Sequence, residues 1–363
     1  MLNFHRFEKR PKRHCARLLT AIMTSVLLGL GALTTSHQAA AQEDENAAPE
    51  LVWPAPPDQA VIRYERRYAS SKDIEGKKKK KGWKDRLLGE DDTKTSSLKQ
   101  PYAVTVDRRG RLLVADTGLR DVAVLDFEEK EFSLLVNDIG LLKKPTGITV
   151  DQQGLIYITD SQEPKVLVFD EAGELQRVFG DQGELERPVG VVVNAAGEVF
   201  VSDVLKHQIV VFGAGGEKIK TIGERGSDLG YFNYPLEVDI DSEGNIYVVD
   251  SMNFRIQIIP AAEGEFRAIG SQGGGTGQFT RPKGVAVDSK GHIYVSDAAF
   301  NNIQMFNQQG ELLMFFGDGG GAEGQFQLPA GIHVDENNRV FVASQLNREI
   351  QHFQFLGVPD LVE

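Results

Sequence analysis

Two groups of side chains in this sequence have types and spacings that could do chemistry. The first is Glu237, Asp239 and His333. Six similar segments follow one another, each opened by a proline. Two residues after that proline stand Ala103, Gly147, Gly190, Gly284 and Gly331, all small, whereas the fourth segment has Glu237 and, two residues on, Asp239. The sixth segment has His333 at the position matching Asp239. Two carboxyls and an imidazole facing a shared axis would line a small polar cavity able to hold one divalent cation or a ligand amine. A water-filled channel wall would use the same residues. The second group is Arg120, Lys165, His207, Met252, Phe254, Arg255, Phe300 and Arg348, which fall on otherwise polar loops. Met, Phe and Arg are side chains that contact surfaces favour, so this group is a candidate partner-binding rim. Arg255 and its counterparts would equally serve to brace neighbouring loops.

Other chemistry is thin. Beyond the N-terminal region the histidines are His207, His292, His333 and His352, in non-equivalent positions, and three converging imidazoles are not expected. No GxSxG elbow and no HExxH helix occurs. The glycine-rich stretches GERGSDLGYFNYP, GSQGGGTGQFTRP and GDGGGAEGQFQLP lack the Gly-Lys-Ser/Thr of a phosphate loop. The phenylalanine in each (Phe232, Phe279, Phe326) is expected to plug a join between segments.

The elements that must position these residues are strands. From Arg281 to Phe326 four short runs, GVAV, IYVSD, IQMF and LLMFFG, are separated by turns of Asp, Gly, Asn or Gln. That is a four-stranded antiparallel meander. Its opening proline recurs as Pro101, Pro145, Pro188, Pro235, Pro282 and Pro329, at spacings of 44, 43, 47, 47 and 47 residues. One four-stranded sheet cannot cover both its faces, and sheets packed face to face around an axis cover each other. The chain is therefore expected to be all-β, a six-bladed propeller. The last segment has only three strands before the chain ends, and the lone strand predicted at 60–69 supplies the fourth, closing the ring and removing an open edge. Asp107, Asp151, Asn194, Asp241, Asp288 and Asp335 open the first turn of each blade and read as turn-formers. One acid per separated turn cannot converge on a single calcium ion.

Residues 1–41 pair a basic start (Arg6, Lys9, Arg10, Lys12, Arg13, Arg17) with a short apolar run, Leu18–Leu33, and the small residues Ala39–Ala41. This is the pattern of a cleaved secretory signal peptide. It predicts an exported protein, periplasmic or extracellular, with no stable transmembrane span after cleavage. Cys15, the one cysteine, would leave with it, so no disulfide, thiolate metal site or haem attachment is expected. Residues 42–59 read as a flexible Pro-rich lead-in. Residues 70–100 read as a basic insertion, with Lys77–Lys81 and a short helix over Trp83–Leu88, and 101–363 as the propeller. That last region holds 39 acids against 21 bases, a balance of -18. Such a body repels phosphate backbones, which argues against a nucleic-acid partner.

The motif PxGVAVDxxGxIYVSDxxNxxIQxF, followed by FGxxGxGxGQFxxP, resembles the NHL repeat over about residues 98–357. The opening LVWPAPPDQAVIRY and the stretch RLLVADTGLRDVAVLD look like those of bacterial exported NHL-repeat proteins. The resemblance implies a six-bladed propeller with an N-terminal closing strand. NHL propellers serve as protein-binding platforms, RNA readers and, in one class, a lyase, so fold does not select a function. The amidating lyases of this type hold zinc with histidines, one of which follows the opening proline. Here that position holds Tyr102, Thr146, Val189, Leu236, Lys283 and Ala330, none of them an imidazole. The reading is therefore a non-enzymatic binding or scaffolding module in the cell envelope, with an envelope protein as partner and a peptide or carbohydrate as the other ligand classes. The alternative is a metal-assisted lyase or hydrolase using the axial channel. No cofactor is expected, beyond the one divalent cation that the channel could hold.

Overall fold

The structure is a computed structural model that describes residues 50–75, 96–136 and 140–358, all within the compact unit Pro49–Glu363. The expected leader with Cys15, the Lys77–Lys81 run and the Trp83–Leu88 helix lie outside the described residues.

The short β-branched and aromatic runs form six antiparallel sheets of sequential strands. Blade one comprises Pro101–Val106, Leu112–Asp116, Asp121–Asp126 and Glu131–Leu134. Blades two to five repeat this order, their first strands being Pro145–Val150, Pro188–Val193, Pro235–Ile240 and Pro282–Val287. In blade six Pro329–Val334, Arg339–Ser344 and Glu349–Phe355 are followed in space by Ile62–Tyr68, which pairs antiparallel with Glu349–Phe355. Within the Pro-rich lead-in, Val52–Trp53 adds a fifth strand outside it, paired to Arg63 and Ile62. Trp53 explains why that stretch is ordered: its ring lies 5.9 Å from Phe316 and 5.8 Å from Phe353.

First strands pack on first strands around the ring, and that of blade six packs on that of blade one. Six apolar clusters result, one per junction. Each interior therefore belongs to two blades, which is why the ring must close before any blade is covered on both faces. The innermost strands approach so closely that a side chain two residues after the proline has almost no room. A Cβ on Gly147 would lie 2.0 Å from the Val189 carbonyl oxygen. Hydroxyls pin the same contact from the second strand: Thr159 donates to the Val189 carbonyl and Ser296 to the Ala330 carbonyl, each at 2.6 Å.

The acids that punctuate the repeats are spent on backbone. Asp107 accepts from the N–H groups of Arg109 and Arg111, each at 2.9 Å, and its equivalents do likewise. The aspartate ending the second strand is fully buried in five blades. Asp297 accepts from Thr280 and Arg281 on the incoming loop and from Ala299 and Phe300 on the outgoing one. One carboxylate thereby ties both loops of a blade to the same face, the face that carries the candidate site.

Candidate functional site

Every first strand begins with a register shift just after its proline; in blade four it spans Pro235 to Val238. Such bulges re-aim side chains, and Glu237 lies within this one. Its Oε2 comes within 3.1 Å of the point where a Cβ on Gly331 would stand, a point also 2.7 Å from the Tyr102 carbonyl oxygen. The carboxyl therefore reaches from blade four across the axis to blades six and one, and the missing side chain at Gly331 leaves it room. Glu237 makes no hydrogen bond or ion pair among the described residues. Burial, with Asp239 nearby, pushes its carboxyl well above the usual carboxylate range.

Asp239 does a different job. It accepts the Val287 N–H at 2.7 Å, satisfying a donor on the free inner edge of blade five. Burial raises its carboxyl to about 7 against the pull of the N–H groups of Ile240 and Val287. His333 is partly covered, and burial lowers it to about 4; the nearby charges acting on it are Asp335 and Arg339 rather than the two blade-four acids. So Glu237 and Asp239 share a strand, and the charge of Asp239 acts on Glu237, while neither acid is among the charges acting on His333. Among the described residues no three His, Cys, Asp or Glu side chains come together in a way that could hold a metal ion.

The channel mouth holds three residues that the sequence reading passed over. Lys283 Nζ donates to Gln345 Oε1 at 2.9 Å and lies 5.7 Å from the centroid of the Tyr102 ring. Burial, then the charge of Arg281, lowers the ammonium to about 8. Burial, then Glu237, raises the Tyr102 hydroxyl to about 12. The available signal was the residue after the opening proline: Lys and Tyr break a row otherwise made of Thr, Val, Leu and Ala. That row was read for imidazoles alone.

The rim divides. Arg120, His207, Phe254 and Arg348 all occupy one left-handed turn position, with φ of 59°, 54°, 56° and 59°, just before the third strand. Arg120 and Arg348 are exposed. His207 is buried, accepting the Tyr234 N–H at 3.2 Å through Nδ1. Phe254 packs against the core between blades four and five, and Phe300 is partly covered. Lys165 pairs with Glu163 at 2.8 Å. Arg255 is a brace: it pairs with Asp250 at 2.8 Å and donates to the carbonyls of Asp228 and Tyr231. Met252 is 52% exposed. It is joined at the same junction by Leu229 (51%), Tyr231 (39%) and Tyr234 (38%), which the sequence reading did not select. The Met252 N–H bonds the Asn233 carbonyl at 3.0 Å, so its loop is knitted to the one carrying the other three.

Fold and repeats together define the class: this chain is a six-bladed β-propeller. It carries NHL repeats, whose family profile matches residues 232–259 and 279–306, within blades four and five. No curated protein matches the chain. Solved structures do. An auxiliary nutrient binding protein from Bacteroides thetaiotaomicron aligns with TM-score 0.56 at 15% identity, covering 70% of this chain and 69% of that one. A gluconolactonase from Xanthomonas campestris aligns with TM-score 0.55 at 15% identity, covering 71% and 87%. Virginiamycin B lyase from Staphylococcus aureus aligns with TM-score 0.52 at 14% identity, covering 71% and 96%. At these identities the likeness is one of fold, spread over binding proteins and enzymes alike. Among the described residues no helix is long and apolar enough to cross a membrane.

Proposed function

We propose that this chain is a non-enzymatic binding module that works outside the cytoplasm and docks a protein of the cell envelope on its loop face. The observation that carries the reading is the cluster of exposed Leu229, Tyr231, Tyr234 and Met252 at the junction of blades three and four. Isolated exposed apolar residues are ordinary, but four at one junction form the kind of patch that marks a contact site. Tyrosines on braced loops also lose little entropy on binding. The brace is Arg255, whose ion pair and carbonyl contacts hold the loop beneath Leu229 and Tyr231. Export is supported by the basic start and apolar run of residues 1–41. Bacteroides neighbours described as nutrient binding proteins set a precedent for a binding propeller, without fixing what this one binds.

The test is site-specific photocrosslinking in the native envelope fraction. A crosslinker at Met252 is expected to yield a discrete adduct. The same group at Gln152, an exposed turn residue on the opposite face, is expected to yield none. Equal adducts from both positions would sink the proposal, as would none from Met252. N-terminal sequencing of the recovered protein checks export: a start near Gln42 is the expected result.

A further inference from the structure

The channel mouth carries chemistry unlike that of the apolar patch and independent of it. Lys283 is half-buried there with Gln345 as its one hydrogen-bond partner and no carboxylate within ion-pairing distance among the described residues. Buried cations are ordinarily paired. Three more basic residues, Lys144, Arg187 and Arg281, stand immediately before the opening prolines of blades two, three and five, at the entrance to the innermost strands. All three are exposed, and none makes an ion pair among the described residues. Lys283 and these three are basic groups without an ion pair among the described residues, in a propeller region with a balance of -18, and a small anion would satisfy them.

We propose that the mouth of the axial channel binds a small organic carboxylate, seated on Lys283 with Tyr102 and Gln345 orienting it and Arg281 at its outer edge. The Tyr102 hydroxyl makes no hydrogen bond among the described residues and is free to donate. The Gln345 amide can turn its NH2 to the ligand once Lys283 is engaged by it. Glu237 closes the floor beneath Tyr102, and its preference for the protonated form lets it donate to a carboxylate oxygen rather than repel it. A doubly charged phosphate gains less there: Lys283 is the one covered ammonium at the mouth, and it balances a single negative charge. The channel thus selects a planar, singly charged group over a compact dianion.

Calorimetric titration of the purified chain with lactate, a monocarboxylate, tests this, with inorganic phosphate as the competing anion. Lactate is expected to bind saturably and phosphate at least 10-fold more weakly. Lys283→Met should weaken lactate at least 10-fold, Lys283→Arg should retain most of the affinity, and Lys220→Met, an exposed lysine on the outer strand of blade three, should change nothing. Thermal melts of each variant separate loss of the site from loss of the fold. Affinity should also fall as pH rises through about 8, where Lys283 loses its charge in the company of Tyr102, Arg281 and Glu237. Absence of saturable lactate binding by the parent chain overturns the proposal. So does equal affinity in folded Lys283→Met, or phosphate matching lactate.

Discussion

Blades one to three and blades four to six seal the same junction with different chemistry. Three residues before each opening proline sits a buried plug. It is Leu98, Leu142 and Leu185 in the first half of the ring, and Phe232, Phe279 and Phe326 in the second. The third strand changes in step. Opposite the leucines stand Ala123, Leu167 and Val210; in the other half the position holds Gln257, Gln304 and Gln351. Each of these buried glutamines donates to the carbonyl just before its phenylalanine, that of Tyr231, Gln278 or Gln325, at 2.6, 2.9 and 2.6 Å. Two also accept a glycine N–H, from Gly230 and Gly324. The longer glycine-rich loops of this half carry more backbone polar groups over an apolar interior, and the glutamine satisfies them. A short leucine-plugged loop has no such need. The channel acids Glu237 and Asp239 and the apolar patch lie on or beside the glutamine-clipped half, where loops are long and still held in one path.

The plug should give the largest effect. The Phe279 ring fills space opened by Gly270, whose Cβ would lie 2.2 Å from it. Phe279→Ala is expected to cost about 3–5 kcal/mol in urea denaturation. Leu142→Ala, in the other half, should cost about 2–4 kcal/mol by the same measurement. A Phe279→Ala loss below that of Leu142→Ala would mean that the two plugs do not do the same work.

The next effect concerns a difference inside the channel. At the Asp239 position the first half carries Thr105, Thr149 and Val192. The carboxyl titrates near 7 in the folded chain, against an ordinary value near 4. Folding therefore takes up a proton between these values. The contribution is fully present below about pH 4 and is lost as pH rises through about 7. Asp239→Asn keeps an acceptor for the Val287 N–H and should flatten that decline, a gain of about 2–4 kcal/mol at pH 8 relative to pH 4. His352, in the closing strand pair, has the opposite sign. It stacks on Phe341 with both ring nitrogens buried and unpartnered, and burial, then Arg339, lowers it to about 4. Its contribution is present above about pH 6.5 and lost as pH falls through about 4. His352→Leu should remove about 1–3 kcal/mol of acid sensitivity, read from melts between pH 4 and 7.

Gln304 comes next. Its replacement by alanine strands the Gln278 carbonyl and should cost about 1–3 kcal/mol. Gln304→Leu combined with Phe279→Leu imitates the other half of the ring. If the clip exists to serve the long loop, the double variant should be no better than the sum of the singles. Recovery of stability in the double variant would show instead that plug and clip are an exchangeable pair.

Much of this framework was legible beforehand because it rests on local rules. Proline spacing, strand runs and the Asp-xx-Gly turns each need only a few neighbouring residues. The pairing of Ile62–Tyr68 with Glu349–Phe355 was legible for a different reason: three strands cannot finish a blade. The site was less legible because it depends on paths rather than patterns. Arg255 is a brace only because the carbonyls of Asp228 and Tyr231 converge on it. Phe254 shares its left-handed backbone position with the exposed Arg120 and Arg348, yet packs against the core, so the position does not announce the direction. Gln345 joins Lys283 from a loop of the next blade, 62 residues along the chain. No period in the sequence announces such a contact.

The smallest effect on stability should come from the apolar patch, and that is what makes it informative. The second half of the ring contains its own control. Leu229, Tyr231 and Tyr234 correspond to Thr276, Gln278 and Arg281 one junction on, with the same plug and the same clip beneath. The scaffold therefore does not require apolar side chains at these positions. Replacing Tyr231, Tyr234 and Met252 together by alanine should shift stability by no more than about 0.5 kcal/mol per exposed site. Capture of the proposed partner should nonetheless be lost, since a few exposed aromatic and Met side chains carry most of a contact's energy. A larger stability loss would place the patch with the brace, as part of the fold. Unchanged capture by the folded triple variant would move the docking surface elsewhere on the loop face, with Leu346, 62% exposed in blade six, as the next position to alter.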